Sequence, residues 1–208
     1  MKEFVAEFVG TTLLILLGNG VVANTILSKS KGNNGGWIVI TVGWAIAVFV
    51  GVYSAIKLGS QAHLNPIVTM VIGYLNNFSL QQIFIYISGQ FLGAMFGAFL
   101  VWVVYKLQFD ETESESLILA SFCTSPAIKN IKYNLLSEVV ATTVLILGIL
   151  LLTKSEIGFG SLDALPVSLL ILGIGLSLGG STGYAINPAR DFGPRIIHAI
   201  LPIKKQRV

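Results

Sequence analysis

Few side chains in this sequence suit chemistry, and those that do fall into two matching clusters. Asn65-Pro66-Ile67 follows His63 and Leu64, and Asn187-Pro188-Ala189 leads directly into Arg190 and Asp191. Asn-Pro is a helix start: the Asn side chain caps free backbone N–H groups, and Pro fits the first turn because its missing N–H is not needed there. One such pair marks a capped helix and nothing more. Two of them, each just past an apolar run, point to a paired device. A helix N-terminus presents unpaired N–H groups and about half a positive charge. The amide nitrogens of Asn65 and Asn187 can donate to a hydroxyl or water oxygen while their carbonyl oxygens stay tied to the backbone. That chemistry recognises a neutral polar molecule and makes no covalent bond. No nucleophile–base pair and no paired carboxylates suited to catalysis stand out, so no catalytic residue is expected. His63 and His198 are the only histidines and Cys123 the only cysteine. A multi-histidine or cysteine metal centre and an intrachain disulfide are therefore excluded, and neither metal nor cofactor is expected.

The elements that must position these residues are those of a membrane protein. Of 208 residues, 54% are hydrophobic and 11% charged, where a soluble domain carries roughly a quarter charged residues. The net charge of +3 is scattered between apolar runs and not gathered into a basic patch interleaved with aromatics, so the expected partner is the lipid bilayer, with no nucleic acid. Residues 4–27, 37–56, 83–105, 135–152 and 162–178 read as spans of a bilayer core of about 30 Å, which needs about 20 residues. Lys2 ahead of an apolar stretch suggests a signal peptide, but Glu3 and Glu7 stand where a basic leader belongs and further spans follow. Residues 28–36, 57–62 and 153–161 read as loops. The odd piece is 66–75, whose ten residues cover about 15 Å, half the core. Asn76, Asn77 and Ser79 end it. It reads as a re-entrant half-helix, which lipid tolerates only where protein surrounds it. Gly89, Gly93 and Gly97 form a small-residue seam for close helix contact. The polar segment 106–134 reads as a loop with no chemistry assigned.

The two halves repeat. Glu7-Phe8-Val9-Gly10-Thr11-Thr12-Leu13-Leu14-Ile15-Leu16 matches Glu138-Val139-Val140-Ala141-Thr142-Thr143-Val144-Leu145-Ile146-Leu147 in its Glu, its Thr pair and its aliphatic order. Each opens a first span that leads through a second to an Asn-Pro half-helix. With three spans per half, an odd number, the second copy enters the membrane upside down and the half-helices meet with their N-termini together. Such a positive focus repels cations and hydrated protons while a neutral polar molecule passes. Glu7 and Glu138 are ionisable groups inside spans, and Arg190 needs partners or a wet cavity, so a function is expected of each.

On these motifs the chain resembles the major intrinsic protein family, the aquaporins and glycerol facilitators. Asp191 after Arg190, and His63-Leu64 before Asn65-Pro66, resemble the glycerol-facilitator branch. The resemblance implies an all-α membrane protein, an inverted-repeat helical bundle with two re-entrant half-helices. It covers a single channel domain: a first repeat over about 1–106, a linker over about 107–134 and a second repeat over about 135–208. It implies a pore junction at Asn65, Pro66, Ile67, Asn187, Pro188 and Ala189. It implies an outer selectivity constriction of Trp44, Gly175, Tyr184 and Arg190, with Gly175 leaving room where water channels place a bulkier side chain. There a guanidinium opposite two aromatic faces would suit a polyol, hydroxyls on Arg190 and the carbon edge on Trp44 and Tyr184. Glu7 and Glu138 would accept connector N–H groups and turn a row of carbonyls toward the pore. His63 would line or brace the inner vestibule, and Asp191 would support the Arg190 loop.

The implied function is a passive channel for glycerol, water and similar small polyols, a homotetramer in a bacterial plasma membrane. A water-selective channel, a non-conducting family member and a coupled transporter are the alternatives. Two departures stand out. The first motif carries Ile67 where the family has alanine, which is expected to loosen or narrow the junction. The family's sixth span has no counterpart before the chain ends at Val208, and the expectation is a shortened product of a glycerol-facilitator gene with one pore wall open. The resemblance implies a cytoplasmic N-terminus. That puts Lys2, Lys57 and Lys154 inside, and Lys29, Lys31, Lys106, Lys129 and Lys132 outside. A five-span count also leaves Lys204, Lys205 and Arg207 outside, against the positive-inside tendency.

Overall fold

Long apolar runs without internal proline become helices. The computed structural model describes residues 1–152 and 160–203. Its elements are α1 (Lys2–Ile26), α2 (Trp37–Leu58), α3 (Pro66–Leu75), α4 (Leu80–Val104), the short α5 (Lys106–Glu111) and α6 (Glu115–Ala120), α7 (Ile131–Leu151), a 3₁₀ turn (Gly160–Ala164), α8 (Leu165–Leu178) and α9 (Pro188–Ile200). Helices α1, α2, α4 and α7 are long and apolar enough to cross a membrane. The fifth expected span is shorter than its apolar run. Pro166 sits in the first turn of α8, which starts the α-helix there and leaves the 3₁₀ turn ahead of it. The loop expected over 153–161 lies largely outside the described residues, as do Lys204, Lys205 and Arg207.

The half-helices have clear punctuation. Asn65 and Asn187 are extended, with φ of −155° and −150°, and each caps its helix with its own side chain. Helix α3 ends at Leu75 with Asn76 as its C-cap, and α4 begins at Leu80 behind a reciprocal capping box between Ser79 and Gln82. The polar segment 106–134 is not the featureless loop its composition predicts. It holds α5 and α6, and Phe109, Ile118 and Phe122 from it are buried in the core.

Glycines bring the helices together. A Cβ on Gly89, Gly93 or Gly97 would stand 2.8, 2.4 or 2.7 Å from the carbonyl oxygens of Phe4, Phe8 and Thr12. The four-residue step on α4 therefore meets a four-residue step on α1, backbone against backbone, and Thr12 Oγ1 donates across the seam to the Gly93 carbonyl at 3.2 Å. Helix α1 also crosses α2 closely at Gly10 and Gly51, where a Cβ on either would stand within 2.9 Å of the other's carbonyl oxygen.

Among the described residues, the second repeat shows no equivalent of this seam. Helix α7 corresponds to α1 and packs on α8, and its buried residues are Ala141 and Leu145. Thr143, the counterpart of Thr12, is exposed and donates only within its own helix, to Val139 O at 2.8 Å. Pro66 is buried and Pro188 exposed; Glu7 is fully buried and Glu138 partly exposed. Among the described residues, no helix covers on α7 the face that α4 covers on α1.

Candidate pore and selectivity site

Each half-helix is preceded by a connector pinned to one carboxylate. Glu7 accepts from His63 N–H at 3.0 Å, Leu64 N–H at 2.8 Å and the Gln90 amide at 2.7 Å, and also from the Ser60 hydroxyl. Glu138 accepts from Ala185 N–H at 3.1 Å and Ile186 N–H at 2.9 Å, and from the Thr182 hydroxyl. In an extended chain, successive N–H groups point to opposite sides. Here two successive ones reach the same carboxylate, because alternate residues have left-handed φ: Ala62 at 55° and Leu64 at 48°, Tyr184 at 40° and Ile186 at 42°. Non-glycine residues held this way cost about 1–3 kcal/mol each. The bonds to Glu7 and Glu138 hold them there, and the connector carbonyls turn away from the carboxylates.

The half-helices meet through their caps. Asn65 Nδ2 donates to the Ile186 carbonyl at 2.9 Å, and Asn187 Nδ2 donates to the Leu64 carbonyl at 2.7 Å. Asn65 Oδ1 accepts from Ile67 N–H at 2.9 Å; Asn187 Oδ1 accepts from Ala189 N–H at 3.1 Å and Arg190 N–H at 3.2 Å. Each asparagine therefore fixes its own helix with its oxygen and the opposite connector with one amide hydrogen, which leaves the second hydrogen to donate elsewhere. Both cross-bonds form with Ile67 in place.

The four residues expected at the constriction lie around Tyr184 and Arg190. The Arg190 guanidinium stacks on the Trp44 ring, 4.1 Å from its centroid, a cation–π contact strengthened by burial. Trp44 is backed by Gly18, where a Cβ would stand 2.3 Å from Cζ3. Arg190 and Trp44 are thus one wall in contact. At Gly175 the missing side chain makes room for Tyr184: a Cβ there would stand 2.9 Å from Tyr184 Cζ and 3.1 Å from Thr41 Cγ2. The Tyr184 ring is seated in a notch of Gly175 and Gly179, with its edge against Trp37 at 5.9 Å, and Trp37 Nε1 donates to the Gly175 carbonyl at 3.1 Å.

His63 is buried below the first motif. Its Nδ1 lies 3.2 Å from Thr69 Oγ1, and its ring packs on Tyr86 at 4.8 Å and Phe78 at 6.0 Å. Asp191 Oδ1 accepts from Thr124 N–H at 2.7 Å and Thr124 O–H at 2.8 Å, while Oδ2 accepts from Arg195 at 3.0 Å. Sequence reasoning missed Ser60, Thr182, Gln90, Trp37 and Thr124. Ser60 and Thr182 carried a signal, since each stands five residues before its motif asparagine. Gln90, Trp37 and Thr124 carried none. No group of acidic, histidine and cysteine side chains able to hold a metal occurs among the described residues.

Two half-helices that each cap themselves and hold the other's connector, inside a bundle built twice from the same plan, define a membrane protein of the inverted-repeat channel class. The chain belongs to the major intrinsic protein family, whose model matches residues 1–202. It is 50% identical over 207 residues to the "Probable glycerol uptake facilitator protein" of Thermotoga maritima, a match covering all of this chain and 88% of that one. It is 52% identical over 203 residues to the "Glycerol uptake facilitator protein" of Streptococcus pneumoniae, covering 98% and 86%. Among solved structures, the aquaglyceroporin from Plasmodium falciparum superposes with a TM-score of 0.85 at 35% identity, covering 98% of this chain and 83% of that one.

Proposed function

We propose that this protein is a passive channel for glycerol and other small neutral polyols, with some water, and not an enzyme. The observation that carries the reading is the reciprocal junction, in which Asn65 and Asn187 hold each other's connectors and keep a spare amide hydrogen each. A solute oxygen accepting from those donors would interrupt the donor chain along which a proton hops, and the facing helix N-termini would repel cations. Arg190, stacked on Trp44 and next to Tyr184, would offer N–H groups beside apolar ring surface. That combination suits a molecule with hydroxyls on one edge and carbon on the other. The connector carbonyls turned away from Glu7 and Glu138 would accept the solute's hydroxyl hydrogens above and below. The names of the relatives at about half identity support the same solute. A homotetramer in a bacterial plasma membrane follows from the family and is part of this proposal.

One observation favours a non-conducting form: the open face of α7 leaves Glu138 and Pro188 partly uncovered. Swelling of proteoliposomes in a glycerol gradient separates the readings. The channel reading predicts glycerol entry well above bare lipid, rising linearly with concentration and indifferent to ion gradients. Entry equal to bare lipid would defeat it, and saturable entry driven by an ion gradient would mark a transporter.

A further inference from the structure

The segment between α6 and α7 is fastened to α1 on one side and, on the other, to α9 and the connector that leads into it. The Phe122 carbonyl accepts from the Asn19 amide of α1 at 2.8 Å in a buried bond. The Phe122 ring is fully buried, against Phe109 at 5.3 Å and His198 at 5.2 Å. Two residues on, Thr124 gives both its N–H and its O–H to Asp191 Oδ1, and its carbonyl accepts from Arg195 Nη2 at 2.9 Å. Ala127 N–H then donates to the Ser181 carbonyl at 3.0 Å. Thr124 also abuts Gly183, whose φ is +86° and where a Cβ would stand 3.1 Å from both Thr124 Cβ and Cγ2.

The order of residues makes this clamp matter. Asp191 directly follows Arg190, and Gly183 directly precedes Tyr184. A single side chain thus presses on the neighbours of two filter residues that approach from different sides of a turn. The Asp191 carboxylate is fixed by two donors from Thr124, and the freely rotating glycine ahead of Tyr184 is backed by its Cβ and methyl.

We propose that Thr124, anchored through Phe122 to Asn19, is a specificity-determining positioning residue that sets Arg190 against Tyr184 and so sets the preference for a polyol over water. The inference rests on the channel reading above. It is tested on the full chain in proteoliposomes by the ratio of glycerol to water permeability, corrected for bare lipid. That ratio is independent of how much protein reaches the membrane. Thr124→Val lowers the ratio about tenfold, the factor that corresponds to about 1.4 kcal/mol, close to the lower limit for a hydrogen bond to a charged group. Thr124→Ser, which keeps the donor, holds the ratio within about twofold by the same reasoning. Asn19→Ala, which frees the other end of the segment, moves the ratio in the same direction as Thr124→Val. In an Arg190→Ala background, Thr124→Val adds no further change, because the residue it positions is gone; a merely structural role would add. An unchanged ratio in Thr124→Val, or effects that multiply with those of Arg190→Ala, overturns this inference alone. A wild-type chain that passes glycerol no faster than bare lipid overturns the channel reading and this inference with it.

Discussion

A Cβ at position 175 would stand 2.9 Å from Tyr184 Cζ, so enlarging this residue moves Tyr184 before it touches any solute. Gly175→His is expected to push the ring toward Arg190 and narrow the passage. A narrowed passage is expected to lower glycerol permeability about tenfold, the factor of about 1.4 kcal/mol in the permeation barrier. Water, the smaller solute, should lose less. Stopped-flow measurement of both on one preparation checks this, and an equal loss would mean that Tyr184 does not border the path. At this scale the sequence was informative where the repeat doubled a signal. Glu7 and Glu138, and Asn65 and Asn187, appear twice in matched positions and do matched jobs in the geometry. Thr124 appears once, inside a polar segment without periodicity, and its two bonds to Asp191 join residues 67 positions apart. No local pattern records such a contact.

The helices are held at distances that only glycine permits. In hydrocarbon the apolar side chains gain little by touching each other, so close backbone packing carries much of the association. Gly93→Ala would place a Cβ 2.4 Å from the Phe8 carbonyl oxygen, and a backbone oxygen in a helix cannot step aside. This substitution is expected to destabilise the fold by about 1–3 kcal/mol. Gly173→Ala is the control, since a Cβ there meets nothing within 4 Å, and it should be neutral or stabilising by up to about 1 kcal/mol. Unfolding by detergent titration compares the two. Equal stabilities would show that α1 and α4 do not depend on the seam. The half-helix α3 and the glycine seam were legible because proline, asparagine and a four-residue step are local signals. The shortened α8 was less so: Pro166 lies inside an apolar run that hydropathy alone reads as continuous, while its missing N–H favours the first turn of a helix.

Across the whole molecule the two repeats agree where they meet and differ where they face outward. The carboxylate-pinned connectors, the left-handed residues and the exchanged asparagine bonds follow one plan in both halves. On the outside, α4 covers α1, while the matching face of α7 is open among the described residues. This chain covers 88% and 86% of the two glycerol-facilitator relatives. The inner agreement is what the channel account needs, because that account places the solute's donors and acceptors on the junction, the connectors and the Arg190–Trp44 wall.

The most direct test of that account is a structure of the lipid-embedded chain determined in glycerol. The account predicts solute density in file along the connector carbonyls, with one oxygen within hydrogen-bond distance of both Asn65 Nδ2 and Asn187 Nδ2 and another beside Arg190. Glycerol bound elsewhere, with the Asn65–Asn187 junction dry and both amides fully used by protein, would contradict it.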